Sequence, residues 1–150
     1  YTSYKTYPSS LAPVSGSMGY GLPAAIAAKI EYPERTVIAY AGDGCFMMTA
    51  QELATAVQYD LPLVLIIADN SMYGTIRMHQ EKTYPGRVSG TSLVNPAFAQ
   101  MARSFGAWGV TVTETGHFEA AFADALACRR PAVIALKLDA NAITPGTTLE

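Results

Sequence analysis

Two short apolar runs bracketing a Gly-Asp-Gly triplet constrain this chain more than any other feature. Thr36-Val37-Ile38-Ala39-Tyr40-Ala41 is apolar and β-branched, which predicts a buried strand. Gly42-Asp43-Gly44-Cys45 follows and predicts a tight turn at the strand's C-terminal end, where open α/β sheets place their ligands. Thr49-x-x-Glu52 has the form of a capping box, so a helix is expected to start there and run through Leu53, Ala54, Ala56 and Val57. Pro62 then precedes Leu63-Val64-Leu65-Ile66-Ile67, a second and fully buried strand, which carries Asp69-Asn70 to the same edge of the sheet. Such a βαβ unit brings Asp43 and Asn70 together across 27 positions.

A carboxylate and an amide oxygen converging beside a glycine turn suit a hard cation such as Mg2+. That ion takes oxygen ligands at about 2.1 Å and usually draws some of them from a phosphate. The backbone N–H groups of Gly44 and Cys45, with the helix terminus after them, would cradle the phosphate. Gly-Asp-Gly followed at this spacing by Asn resembles the signature of thiamine diphosphate (ThDP) enzymes, in particular the acetolactate synthase, benzoylformate decarboxylase and pyruvate decarboxylase group. A second stretch carries the same resemblance. Gly16-Ser17-Met18-Gly19-Tyr20-Gly21-Leu22-Pro23-Ala24-Ala25 is similar to that group's Gly-x-Met-Gly-Tyr-Gly-Leu-Pro-Ala-Ala motif, with Met18 placed 25 positions before Asp43.

The resemblance implies ThDP and Mg2+ as cofactors. It assigns metal ligation to Asp43, Asn70 and the backbone carbonyl of Met72. Cofactor contacts fall to Gly16, Met18, Gly42, Gly44, Cys45, Tyr73, Gly74 and Thr75. In the group the Met side chain wedges between the two cofactor rings; taken alone, Met18 reads more readily as a core methionine. The chain departs from the family pattern in three places. Asp69 stands where Asn is usual, Cys45 follows Gly-Asp-Gly where a small residue is usual, and His79 replaces the Trp found nine residues past the metal Asn in biosynthetic acetohydroxyacid synthases. His79 is therefore a candidate catalytic residue, as an acid/base or carboxylate-binding group, or else a residue of a solvated helix face.

The implied function is that of the C-terminal diphosphate-binding domain of a ThDP-dependent 2-oxo acid decarboxylase or carboligase, a lyase or transferase. In such enzymes the glutamate that activates the cofactor sits on a pyrimidine-binding domain, usually of a neighbouring subunit, so a homodimer or homotetramer is implied. This chain holds no candidate for that glutamate. The alternative is a catalytically inactive module that binds ThDP or a partner domain.

Along the rest of the chain, residues 1–13 are rich in Tyr, Ser, Thr and Pro and predict an irregular arm before a domain over 14–150. Pro23 and the alanines after it predict a closely packed helix. Residues 81–91 are polar, with Pro85, Gly86 and Gly90, and predict a loop bordering the site. Asn95-Pro96 predicts a helix start, with the helix running past Phe98 and Phe105 to Gly106. Val110 to Thr113 and Ala132 to Leu138 predict strands, and His117 the start of a helix with Phe118, Ala121, Phe122, Ala125 and Leu126 on one face. The tail from Asp139 is expected to be irregular. Alternating strands and helices make the fold class α/β, a doubly wound parallel sheet with helices on both faces.

Composition narrows the partners. Half of the 150 residues are hydrophobic, 15% are charged and the net charge is -2, which leaves no basic footprint for nucleic acid. The longest apolar run, around Leu61 to Ala68, is too short to span a bilayer. Cys45 and Cys128 lack metal-ligand spacing and read as free thiols of a reducing cytoplasm. A start at Tyr1 without Met predicts a piece of a longer protein.

Overall fold

The computed structural model describes residues 6–144 together with Thr147 and Thr148. Residues 1–5 of the expected arm and the rest of the tail lie outside the described residues. Helix α1 (Gly21–Glu31) leads into strand β1 (Ile38–Gly42), which passes directly into the short helix α2 (Asp43–Met47). A 3-10 turn (Ala50–Glu52) opens α3 (Leu53–Gln58), followed by β2 (Val64–Asp69) and α4 (Gly74–Thr83). Then come α5 (Phe98–Ser104), β3 (Trp108–Val112), α6 (Phe118–Ala127) and β4 (Ala132–Lys137). The four strands form one parallel sheet in the order β1-β2-β4-β3.

Each sheet face has its own apolar layer. Ala39, Ala41, Leu65, Ile67, Val133 and Ala135 face a core completed by α1, α3 and α5 through Leu22, Ile26, Leu53, Ala56, Phe98 and Ala102. Val64, Ile66, Ala132, Ile134 and Val112 face the other way, against Ala121 and Ala125 of α6. The fold is thus the α/β doubly wound class expected, with helices on both faces. His117 is the residue at the N-terminal boundary of α6, as its sequence context predicts.

Several local expectations need correction. The first strand begins at Ile38 and is buried on one face only, because the apolar layer under α6 stops at β2 and does not reach it; Ile38 and Tyr40 stay 49% and 68% exposed. The capping box does not form. Thr49 makes no capping bond, and its Oγ1 donates instead to the carbonyl of Gly19 at 2.8 Å. The first helix after Gly-Asp-Gly starts at Asp43 itself, and Phe46 anchors it edge-to-face on Phe98 of α5, with ring centroids 5.6 Å apart. Helix α4 runs on to Thr83, into the stretch expected to be loop. Asn95 does not start α5, which begins at Phe98. In the tail, Ala142–Thr144 (β5) and Thr147–Thr148 (β6) pair as a small antiparallel ladder rather than running irregularly.

Candidate functional site

Register sets the site. Gly42 pairs with Ala68 and Asp69 with Lys137, so the C-terminal ends of β1, β2 and β4 lie side by side. Asp43 therefore follows the end of β1 directly beside the end of β2. Its carboxylate is 2% exposed and held at both oxygens: Oδ1 accepts the Gly44 N–H at 2.8 Å and Oδ2 accepts the Asn95 side-chain N–H at 2.7 Å. The Gly44 N–H, expected to serve a phosphate, is thus donated to Asp43, which leaves that expected role to the half-buried Cys45.

The end of β2 is a second, more elaborate turn. Asp69 is 1% exposed; its Oδ1 accepts from the Ser71 N–H and hydroxyl at 3.2 and 3.1 Å and from Asn95 Nδ2 at 2.9 Å, while Oδ2 pairs with the Lys137 ammonium. Burial pushes the Asp69 carboxyl up, but hydrogen bonds from Lys137 and Asn95, the Lys137 charge and the Ser71 hydroxyl together hold it below its usual value. Ser71 takes a left-handed conformation, φ 58°, to make this turn. Asn70 Oδ1 accepts the Met72 N–H at 3.2 Å.

A remote segment clamps the turn. Leu93 N–H donates to Ser71 O and Tyr73 N–H to Thr91 O, both at 2.8 Å, so residues 91–93 lie antiparallel to 71–73. These bonds fall on either side of Met72 and leave its carbonyl outside the pairing. Two glycines sit where side chains come close, one in α2 and one at the end of the turn. A Cβ on Gly44 would lie 2.6 Å from Tyr73 Cε1, and one on Gly74 would lie 2.8 Å from Asn70 Nδ2.

The structure thus brings together Asp43, Gly44, Asn70, Met72, Tyr73 and Gly74. Gly16 is exposed in a left-handed conformation, and Met18 is 43% exposed, outside both core layers, which excludes the core-methionine reading. The Gly19–Thr49 bond ties the Met18 turn to the chain just after α2. Thr75 and His79 are exposed on α4, a position compatible with a solvated helix face for His79. Cys45 and Cys128 are free thiols.

The family described as thiamine pyrophosphate enzyme, C-terminal TPP binding domain, matches residues 1–136. This chain belongs to that family. It is 38% identical over 125 residues to the acetolactate synthase isozyme 2 large subunit of Escherichia coli strain K12, covering 83% of this chain and 23% of that protein. It is 39% identical over 121 residues to the acetolactate synthase large subunit of Parasynechococcus marenigrum, covering 79% and 20%. Among solved structures, it resembles the Rhodococcus jostii RHA1 thiamine diphosphate-dependent 4-hydroxybenzoylformate decarboxylase, with TM-score 0.79, 35% identity and 85% and 24% of the two chains covered. It also resembles benzoylformate decarboxylase from Polynucleobacter necessarius, with TM-score 0.75, 25% identity and coverage of 84% and 24%. The chain spans about a quarter of the length of these relatives.

Sequence reading missed Asn95 and Lys137. Lys137 carried a signal: it is the one charged residue in an apolar strand and sits at the edge that bears the site. Asn95 carried a misleading one, because Asn-Pro reads as a helix start.

Proposed function

We propose that this chain holds the diphosphate and metal end of ThDP in a 2-oxo acid decarboxylase or carboligase, with Mg2+ bound by Asp43, Asn70 and the Met72 carbonyl. One observation carries this reading: a buried, doubly anchored Asp43 carboxylate beside the turn that bears Asn70, in a chain of the ThDP family. The donor set fits a hard cation. All three donors are oxygens, the Met72 carbonyl is outside the backbone pairing, and each Asp43 oxygen accepts a single hydrogen bond, which leaves lone pairs for a metal.

The backbone N–H groups of Cys45, Gly74 and Thr75 would meet the diphosphate, with Gly42 and Gly44 keeping the approach open and Tyr73 lining it. Gly16 and Met18 would support the pyrimidine and thiazolium rings. ThDP, when bound, supplies the carbanion-stabilising chemistry that decarboxylation requires. This chain orients that group, and a pyrimidine-binding domain, from a second subunit of a homo-oligomer, supplies the activating acid. His79 on α4 would face the 2-oxo acid only in that assembly.

Calorimetry with ThDP, with and without Mg2+, tests the reading. Binding should require Mg2+ and be lost in Asp43→Ala, and a hundredfold excess of ThDP over Kd should stabilise the chain by about 2.7 kcal/mol. Equal affinity with and without Mg2+ would sink the idea.

A further inference from the structure

Two buried carboxylates meet at this site, and one amide nitrogen stands between them. Asp43 and Asp69 are 2% and 1% exposed, yet among the described residues only Asp69 has a cation beside it, Lys137. The other contact between them is Asn95, whose Nδ2 lies 2.7 Å from Asp43 Oδ2 and 2.9 Å from Asp69 Oδ1. Both partners are acceptors, so the amide must present its NH2 group, and each hydrogen serves a different carboxylate. Asn95 comes from 52 residues beyond Asp43 and 26 beyond Asp69, and is delivered by the pairing of residues 91–93 with 71–73.

We propose that Asn95 is a positioning residue of the cation site: it fixes the plane of the Asp43 carboxylate and keeps the Asp69 charge from turning it. The proposal rests on the Mg2+ reading given above. With Oδ1 held by the Gly44 N–H and Oδ2 by Asn95, the carboxylate is pinned at both ends, and its free lone pairs point in set directions. Without Asn95, only the Gly44 bond remains, and two like charges face each other across the space the amide filled. Few other side chains do this job. Asp at position 95 would add a third carboxylate with no donor when ionised, and Ser offers one hydrogen where two are needed.

The consequence is selectivity between metals. Mg2+ demands near-ideal octahedral geometry, whereas Ca2+ accepts flexible ligands at longer distances. A loosened Asp43 should therefore harm Mg2+ binding far more than Ca2+ binding. A residue that merely stabilised the fold would lower both equally.

The test is calorimetric titration of ThDP into the full chain at fixed Mg2+ and, separately, at fixed Ca2+. Wild type, Asn95→Ala, Asn95→Ser and Asp43→Ala are compared, each with a cofactor-free melt. Asn95→Ala should weaken the Mg2+-supported complex by about 10- to 100-fold and the Ca2+-supported one by no more than about threefold. Asn95→Ser, which is shorter than Asn but keeps one hydroxyl donor, should lower the Mg2+ to Ca2+ ratio in the same direction if the alanine variant does not fold. An unchanged ratio in the folded variants overturns the proposal. If Asp43→Ala binds as wild type does, the cation reading itself falls, and the role of Asn95 with it. If Asp43→Ala loses binding while the Asn95 variants keep the wild-type ratio, Asn95 alone is refuted.

Discussion

The two strand ends that build the site are made in opposite ways. At the end of β1 the chain passes from Gly42 into α2 with no intervening loop, and Asp43 is held in part by its own neighbour, Gly44. At the end of β2 the turn over Asp69 to Tyr73 contains a left-handed Ser71 and is held from outside, by residues 91–93 and by Lys137 of β4. The first turn is a local device and the second a tertiary one. Asn95 touches both and makes them one site. The rigidity of the second turn is borrowed from distant chain.

Three substitutions would break or sharpen this contrast. The largest effect is expected at the tertiary turn. Lys137→Ala leaves the buried Asp69 with Asn95 and Ser71 but no cation, and should cost roughly 2 kcal/mol, since hydrogen bonds to buried charged groups are worth about that much. The lysine is 47% exposed, which keeps the figure below that for a fully buried pair. A cofactor-free melt should fall by about 4–8 °C. An unchanged melt would mean that the second turn stands without its remote support.

Gly44→Ala comes next. Its new Cβ would lie 2.6 and 2.9 Å from Tyr73 Cε1 and Cδ1, so the ring must move off α2. The cost should be about 1–2 kcal/mol, within the usual range for overpacking. A crystal structure of the variant should show Tyr73 displaced. Tyr73 in its original place, with no loss of stability, would show that the two turns are not packed on each other.

Gly42→Ala should have the smallest effect. Among the described residues beyond its chain neighbours, no atom lies within 4 Å of its Cβ position, and φ -69°, ψ 157° is ordinary extended backbone. Stability without cofactor should stay within about 0.5 kcal/mol of wild type. Because the fold does not need this glycine, any loss of ThDP affinity in the variant would report on the space the cofactor uses. A marked fall in the cofactor-free melt would contradict a purely local, unstrained first turn.

The architecture was legible because its signals are short-range. Leu63 to Ile67 can be little other than an inner strand, Ala132 to Leu136 likewise, and Gly-Asp-Gly after an apolar run marks where such a strand stops. Family membership was legible for the same reason: Gly16 to Ala25, Asp43 and Asn70 are contiguous motifs or fixed spacings. Thr49 and Asn95 misled because each has a strong local meaning, capping box and helix start, that tertiary contacts replace. The Thr49 hydroxyl donates to the Gly19 carbonyl and Asn95 joins two carboxylates.

The sequence by itself determined the four strands of the parallel sheet in outline and the two turns that follow β1 and β2, since apolar periodicity and turn chemistry act over a few residues. Only the tertiary structure decided that β1 is an edge with Ile38 and Tyr40 uncovered, that Gly44 spends its N–H on Asp43, and that Asn95 and Lys137 complete the site. Those outcomes depend on strand order and on where a remote segment lands. A buried carboxylate takes whatever donors the fold brings within about 3 Å, however far away they lie in the chain.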